Sequence, residues 1–97
     1  MIIVTGSVVA RPEAYDELLA LCREHVERSR SEPGCISHAV YRDVDEPMRL
    51  VFFERWESRE ALATHFDVPA SGAFVNAARD LTSEAPTLQI YTAEVAR

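Results

Sequence analysis

Leu50-Val51-Phe52-Phe53-Glu54-Arg55-Trp56-Glu57, followed by Ser58 and a short helical stretch that carries His65, is the segment from which the fold can be read. Side chains of a strand alternate between its two faces. Leu50, Phe52, Glu54 and Trp56 therefore point one way, and Val51 and Phe53 the other. A strand apolar on both faces needs cover on both. Glu54 interrupts one face beside the only tryptophan, which brings a carboxylate, an indole and an imidazole from the next helix toward one another. A small-molecule site is expected there.

Upstream, Ile2, Val4, Gly6, Val8 and Ala10 alternate with Ile3, Thr5, Ser7 and Val9, which predicts a first strand over 2–10. Pro12 suits a helix start, because its missing N–H costs nothing in the first turn. Tyr15, Leu18, Leu19, Cys22 and Val26 recur as one stripe of an amphipathic helix. Glu32-Pro33-Gly34 ends it, since proline cannot continue a helix and glycine tolerates a left-handed turn. Residues 35–43 alternate again, with Ile36, His38 and Val40 opposite Ser37, Ala39 and Tyr41. Asp45-Glu46-Pro47 turns that strand into the one at 50–57, making a hairpin.

Ser58 is placed to cap the next helix, with Glu60 in its first turn. Pro69 and Ala70-Ser71-Gly72 are expected to break that helix, and a further helical piece follows with Phe74, Ala77, Ala78 and Leu81 on one side. After Pro86, residues 87–95 read as the last strand.

The order β-α-β-β-α-β predicts a ferredoxin-like α+β domain over residues 1–97, with both helices on one face of an antiparallel sheet. The other face, carrying Val51 and Phe53, then has no cover from its own chain. Contiguous apolar surface of that kind marks an interface. A homodimer is expected, its two sheets packed face to face about a two-fold axis. The alternative is that the elements are shorter and a monomer suffices.

Sixteen acidic residues against ten arginines and no lysine leave a formal charge of −6, with no basic stripe to follow a phosphate backbone, so nucleic-acid binding is disfavoured. No apolar run reaches the roughly 18–20 residues of a membrane span, and a cytoplasmic location is expected. Cys22 and Cys35 have neither metal-finger nor disulfide spacing and read as buried thiols. No two histidines stand at i, i+4 or at a short strand spacing, so no metal site is expected. Gly6, Gly34 and Gly72 are too far apart to cradle a phosphate.

Glu32-Pro33-Gly34-Cys35 after a long helix, then Tyr41-Arg42-Asp43, Phe53-Glu54-Arg55-Trp56-Glu57-Ser58, Glu60-Ala61-Leu62 and His65, resembles the antibiotic biosynthesis monooxygenase domain family over nearly the whole chain. The resemblance implies a dimeric ferredoxin-like α+β barrel with a pocket between helices and sheet. It also implies mixed chemistry: some members oxidise hydroquinones or polycyclic phenols with molecular oxygen and no cofactor, and others degrade haem, isomerise a phosphorylated sugar or have no known activity. His65 fits the histidine common in the family's second helix, and Trp56 and Glu54 fit the strand before it. The chain departs from the pattern after that helix, where many relatives carry Pro-His-Phe and here Pro69 is followed by Ala70 and Ser71. The haem-degrading branch's asparagine, tryptophan and histidine align with Gly6, His65 and Val75.

His65 is expected inward with Ala61, Leu62 and Phe66, where a neutral imidazole can accept a phenolic proton or, alternatively, simply bond a buried carbonyl or carboxylate. Trp56 shares its face with Phe52 and reads as core, pocket wall or both. Glu54 needs a partner: His38 on the neighbouring strand, His65, or an arginine. His25, among Arg23, Glu24 and Glu27, reads as solvated. The expected function is a cofactor-free monooxygenase acting on a hydroquinone, anthrone or similar aromatic, with His65 as base and Trp56, Phe52, Glu54 and His38 as the binding surround. The alternatives are a non-catalytic dimeric binding or accessory protein and, third, an isomerase of a small phosphorylated or carbonyl substrate, which would need an anion site near Arg55 or Arg79.

Overall fold

In the computed structural model, which describes all of residues 1–97, the two-sided strand is β3 (Arg49–Trp56), and it lies inside the sheet. β2 (Cys35–Arg42) and β1 (Ile2–Val9) flank it, and β4 (Thr87–Thr92) adds to the far side of β1, giving the order β2-β3-β1-β4 with every pairing antiparallel. A short 3-10 turn at Pro12–Ala14 leads into α1 (Tyr15–Ser29), and α2 (Arg59–Asp67) and α3 (Pro69–Arg79) lie between β3 and β4. This is the ferredoxin-like α+β arrangement. Strand ends differ from the sequence reading by a residue, except that β4 stops at Thr92 rather than at 95.

Three expectations are corrected. Pro69 and Ala70-Ser71-Gly72 do not form a long break: Val68 alone is extended, and Pro69 opens α3 at a position where its missing N–H costs nothing. The buried stripe of α3 is Ser71 and Ala78 with half-buried Phe74, whereas Ala77 is exposed. In β2 a register shift between Cys35 and Ser37 leaves Ile36 unpaired and 44% exposed. A bulge of this kind adds one residue to one strand and re-aims the side chains around it. His38 and Val40 keep the inner face opposite Glu54 and Phe52, and Cys35 joins them opposite Trp56.

All helical cover lies on that inner face. One apolar cluster joins Leu18, Cys22 and Val26 of α1 to Leu50 and Phe52 of β3 and Ala78 of α3. A second joins Ile2 and Val4 of β1 to Trp56 and Leu62. No helix is long and apolar enough to cross a membrane.

Gly34 makes the turn from α1 into β2. Its φ is +83°, the only positive φ in the chain, and its carbonyl accepts from the Glu57 N–H at 2.8 Å. A Cβ on Gly34 would collide with the Ala61 Cβ, so the turn is pressed against α2 as well as left-handed. Left-handed backbone costs an L-residue roughly 1–2 kcal/mol before any clash. Gly34→Ala is expected to destabilise the fold by about 2 kcal/mol or more in urea unfolding. Adding Ala61→Gly should recover the steric part and leave the conformational part, so full recovery in the double variant would disprove the backbone argument.

Candidate active site

Six of the nineteen buried residues are polar or charged, and four of these, His25, His38, Glu54 and His65, form one group. Burying polar side chains costs free energy unless they find partners. The group sits where the two apolar clusters meet: the His38 ring centroid is 6.3 Å from Phe52 of the first and 6.2 Å from Trp56 of the second. His25 of α1 lies 5.3 Å from both His38 and His65, ring to ring, and His38 lies 5.6 Å from His65. Three elements distant in the chain thus deliver three imidazoles to one point.

Two of the rings are oriented by partners outside the group. His65 Nδ1 is 2.7 Å from Glu32 Oε1, so the neutral ring carries its proton on Nδ1, donates it to the carboxylate and keeps Nε2 as a free lone pair. The indole of Trp56 packs on the same ring at 4.6 Å. Arg28 does the reverse for His25. Its guanidinium donates to Nδ1 at 2.7 Å, so neutral His25 carries its proton on Nε2. Phe74 stacks on His25 at 4.2 Å and 11°. Glu54 Oε1 accepts from Trp56 Nε1 at 3.0 Å and lies 3.2 Å from His38 Nε2. The latter contact is off the N–H direction, a close polar contact rather than an aligned hydrogen bond, since neither His38 nitrogen has an aligned partner.

A cavity of about 660 Å³ opens beside this group, within the range of small-molecule pockets. His25, Glu54, His65 and Phe52 line it, with Phe74 and Ala78 of α3 and Leu88 of β4. Of the residues proposed from sequence, Phe52, Glu54 and His65 are therefore on the wall. Trp56, wholly buried, and His38 stand behind it and support Glu54 and His65. Phe66 is 47% exposed and lines the cavity, rather than pointing into the core. Arg79 also lines the cavity, while Arg55 is tied to Ser37 of β2.

His25 corrects the sequence reading outright: it is 6% exposed, not solvated. Its charged neighbours in the chain point elsewhere, while Leu18, Cys22, His25 and Ser29 fall at i, i+4, i+7 and i+11 along the buried stripe. That spacing was the available signal. Glu32, visible in the sequence only as part of a helix stop, and Arg28 are the other residues missed. Cys35 is half-buried rather than buried. Burial pushes the Cys22 thiol up to about 12 and also raises Cys35, so both stay protonated near neutral pH and neither is a nucleophile.

One nitrogen from each of the three histidines lies within 4.8 Å of the others, a convergence that the chain spacing did not suggest. The hydrogen bonds argue against an ion there. With Arg28 on Nδ1 and the proton on Nε2, His25 has no lone pair to give without displacing Arg28.

The sequence profile of the family described as antibiotic biosynthesis monooxygenase matches residues 1–77, a span that includes every residue of the histidine group. The chain belongs to that family. It is 40% identical over 90 residues to an uncharacterized protein of Synechocystis sp., covering 93% of this chain but 61% of that protein's length. The crystal structure of an antibiotic biosynthesis monooxygenase superposes with a TM-score of 0.90 at 30% identity, over 98% of this chain and all of that one. The Mycobacterium tuberculosis protein Rv0793 superposes with a TM-score of 0.91 at 28% identity, over 99% of this chain and 98% of that one.

In this member of the antibiotic biosynthesis monooxygenase family the buried group has one settled charge. Desolvation alone would raise the Glu54 carboxyl, but the His38 contact, the Trp56 N–H and the nearby His65 outweigh it, and the net shift is downward. His25 goes the other way from the usual histidine. Burial first, then the neighbouring His38 and His65 and the Arg28 guanidinium, lower it from 6.5 to about 3 against the opposing pull of Glu54. The unfolded chain takes up this proton near 6.5 and the folded chain near 3, so the stability of neutral His25 is complete above 6.5 and lost as pH falls toward 3. The slope is up to about 1.4 kcal/mol per pH unit. The lowered Glu54 carboxyl adds its own loss as pH falls through the ordinary value of 4.5, mostly below the interval from pH 7 to 5. Between about pH 7 and 5, urea unfolding should show wild type losing about 2 kcal/mol more than His25→Phe. Equal losses in both would mean that His25 is not held neutral.

Proposed function

We propose that the cavity binds an electron-rich hydroxyarene, such as a hydroquinone or an anthrone in its enol form, and that the protein promotes its oxygenation by molecular oxygen without a cofactor. The observation that carries this reading is the Glu32–His65 dyad on the wall of a mostly apolar cavity. The carboxylate holds the imidazole in the tautomer whose Nε2 can take a phenolic proton, and it stabilises the imidazolium that results. The resulting phenolate passes an electron to oxygen, the two radicals join at carbon, and the hydroperoxide loses water to give a quinone. One oxygen atom enters the product and the other leaves as water. Phe52 and Phe74 supply flat apolar surface, and exclusion of water protects the intermediate.

Glu54 is occupied by Trp56 and His38, and His65 by Glu32 at its far nitrogen only. Open cavity therefore remains beside a free lone pair, which favours catalysis over a purely structural or accessory role. Oxygen uptake measured with a panel of hydroquinones and anthrones should fall at least about 100-fold in His65→Ala and about tenfold in Glu32→Gln. No uptake with any substrate, or equal uptake in all three proteins, rejects the assignment.

We also infer a homodimer through the sheet face that carries Val51 and Phe53. Phe53 is 39% exposed and Tyr41 of β2 and Tyr91 of β4 are more so, while registry places all of them with Ile3 on the face away from the helices. Light scattering should give twice the 10.9 kDa chain mass for wild type and a single chain mass for Phe53→Asp. A wild-type monomer would refute the interface.

A further inference from the structure

We propose that His25 is a second functional histidine, a neutral N–H donor that hydrogen-bonds the ligand oxygen from which His65 removes the proton, with Arg28 as the residue that sets its tautomer. The inference rests on the hydroxyarene reading of the cavity but not on any reaction with oxygen.

The two rings line the same cavity with centroids 5.3 Å apart. Both Nδ1 atoms are taken, one by Glu32 and one by Arg28, so the nitrogens left for a ligand are the two Nε2 atoms. They are chemically opposite. His65 Nε2 holds a lone pair and can only accept, while His25 Nε2 holds a proton and can only donate. One ligand oxygen placed between them gives its proton to His65 and accepts from His25.

As that proton moves to His65 Nε2, the O–H electron pair stays on oxygen. The new imidazolium is paired with the Glu32 carboxylate, and the new oxyanion with the His25 N–H. A donor aimed in advance at developing charge in a dry site is the most effective stabiliser of an oxyanion. Neutrality is what keeps the two roles apart. A cationic His25 would repel the imidazolium forming on His65 5.3 Å away. Burial and the facing His38, His65 and Arg28 oppose that charge, against Glu54 alone on the other side. The plane of His25 is fixed independently by its stack on Phe74. One turn earlier on α3, Ser71 lines the cavity at 5% exposure and its buried hydroxyl has no partner, a further polar group unused by the fold.

Long-range proton–nitrogen NMR on the wild-type protein reads the tautomers directly. His25 should be neutral with its proton on Nε2 from about pH 5 to 8, and His65 should carry its proton on Nδ1. A His25 that titrates in this range, or carries its proton on Nδ1, overturns the proposal. Function is read with p-nitrophenol, whose ionisation is visible by absorbance. The dye bound to wild type should ionise at lower pH than the free dye. In His25→Phe and Arg28→Met its bound pKa should rise by about one unit, a tenfold loss of preference for the phenolate. Affinity for the neutral phenol should stay nearly constant, and Arg28→Lys, which still donates to Nδ1, should restore the wild-type value. A dye that does not bind, or a bound pKa unmoved in both variants, also overturns it. Oxygen uptake plays no part in these measurements, so its absence would remove the monooxygenase reading and leave the donor assignment standing.

Discussion

A carboxylate on the inner face of a central strand is the constraint around which this molecule is arranged. Glu54 lies between two apolar clusters, and its charge survives there only because donors converge on it. Trp56 supplies an N–H from two residues along the same strand, and His38 faces it from directly across the β2–β3 pairing. That register depends on the bulge at Ile36, which lets Cys35 and His38 share a face. The site is thus built into the sheet, with the helices bringing His25 and His65 to a polar centre that β2 and β3 have already formed.

What separates His25 from His65 is their outer partners. A guanidinium can only donate and a carboxylate can only accept, so Arg28 and Glu32 assign opposite tautomers to rings of identical chemistry. Glu32 reaches α2 through the left-handed turn at Gly34, which is pressed against Ala61 one helical turn before His65. Backbone geometry remote from the cavity therefore controls which nitrogen a ligand meets.

The architecture was legible because strand alternation and the α1 stripe are local signals that tertiary packing reinforces. The pairing of His38 with Glu54 was foreseeable as a possibility on two adjacent strands, but its register was not, because a period of two allows many alignments. Ile36 was misplaced for a related reason: a bulge breaks the period that the reading uses. His25 was lost to its charged neighbours, although its helical spacing from Leu18 and Cys22 carried the information. Glu32 carried none, since its contact with His65 spans 33 positions and exists only once Gly34 has turned the chain. Chain spacing tests for metal or catalytic clusters fail here because each imidazole comes from a different element.

The cavity has two walls of unequal tenure. One is the sheet centre, where Phe52 and Glu54 are held by neighbours on both sides. The other includes residues 82–88 and the start of β4, an edge strand bonded only to β1 and exposed along its full length. Edge segments with little buried surface open at lower free energy than the core. A ligand touching both walls binds only when the edge is in place, so its binding energy also holds the edge closed. Affinity for the cavity and amide protection along β4 are then two readings of one equilibrium.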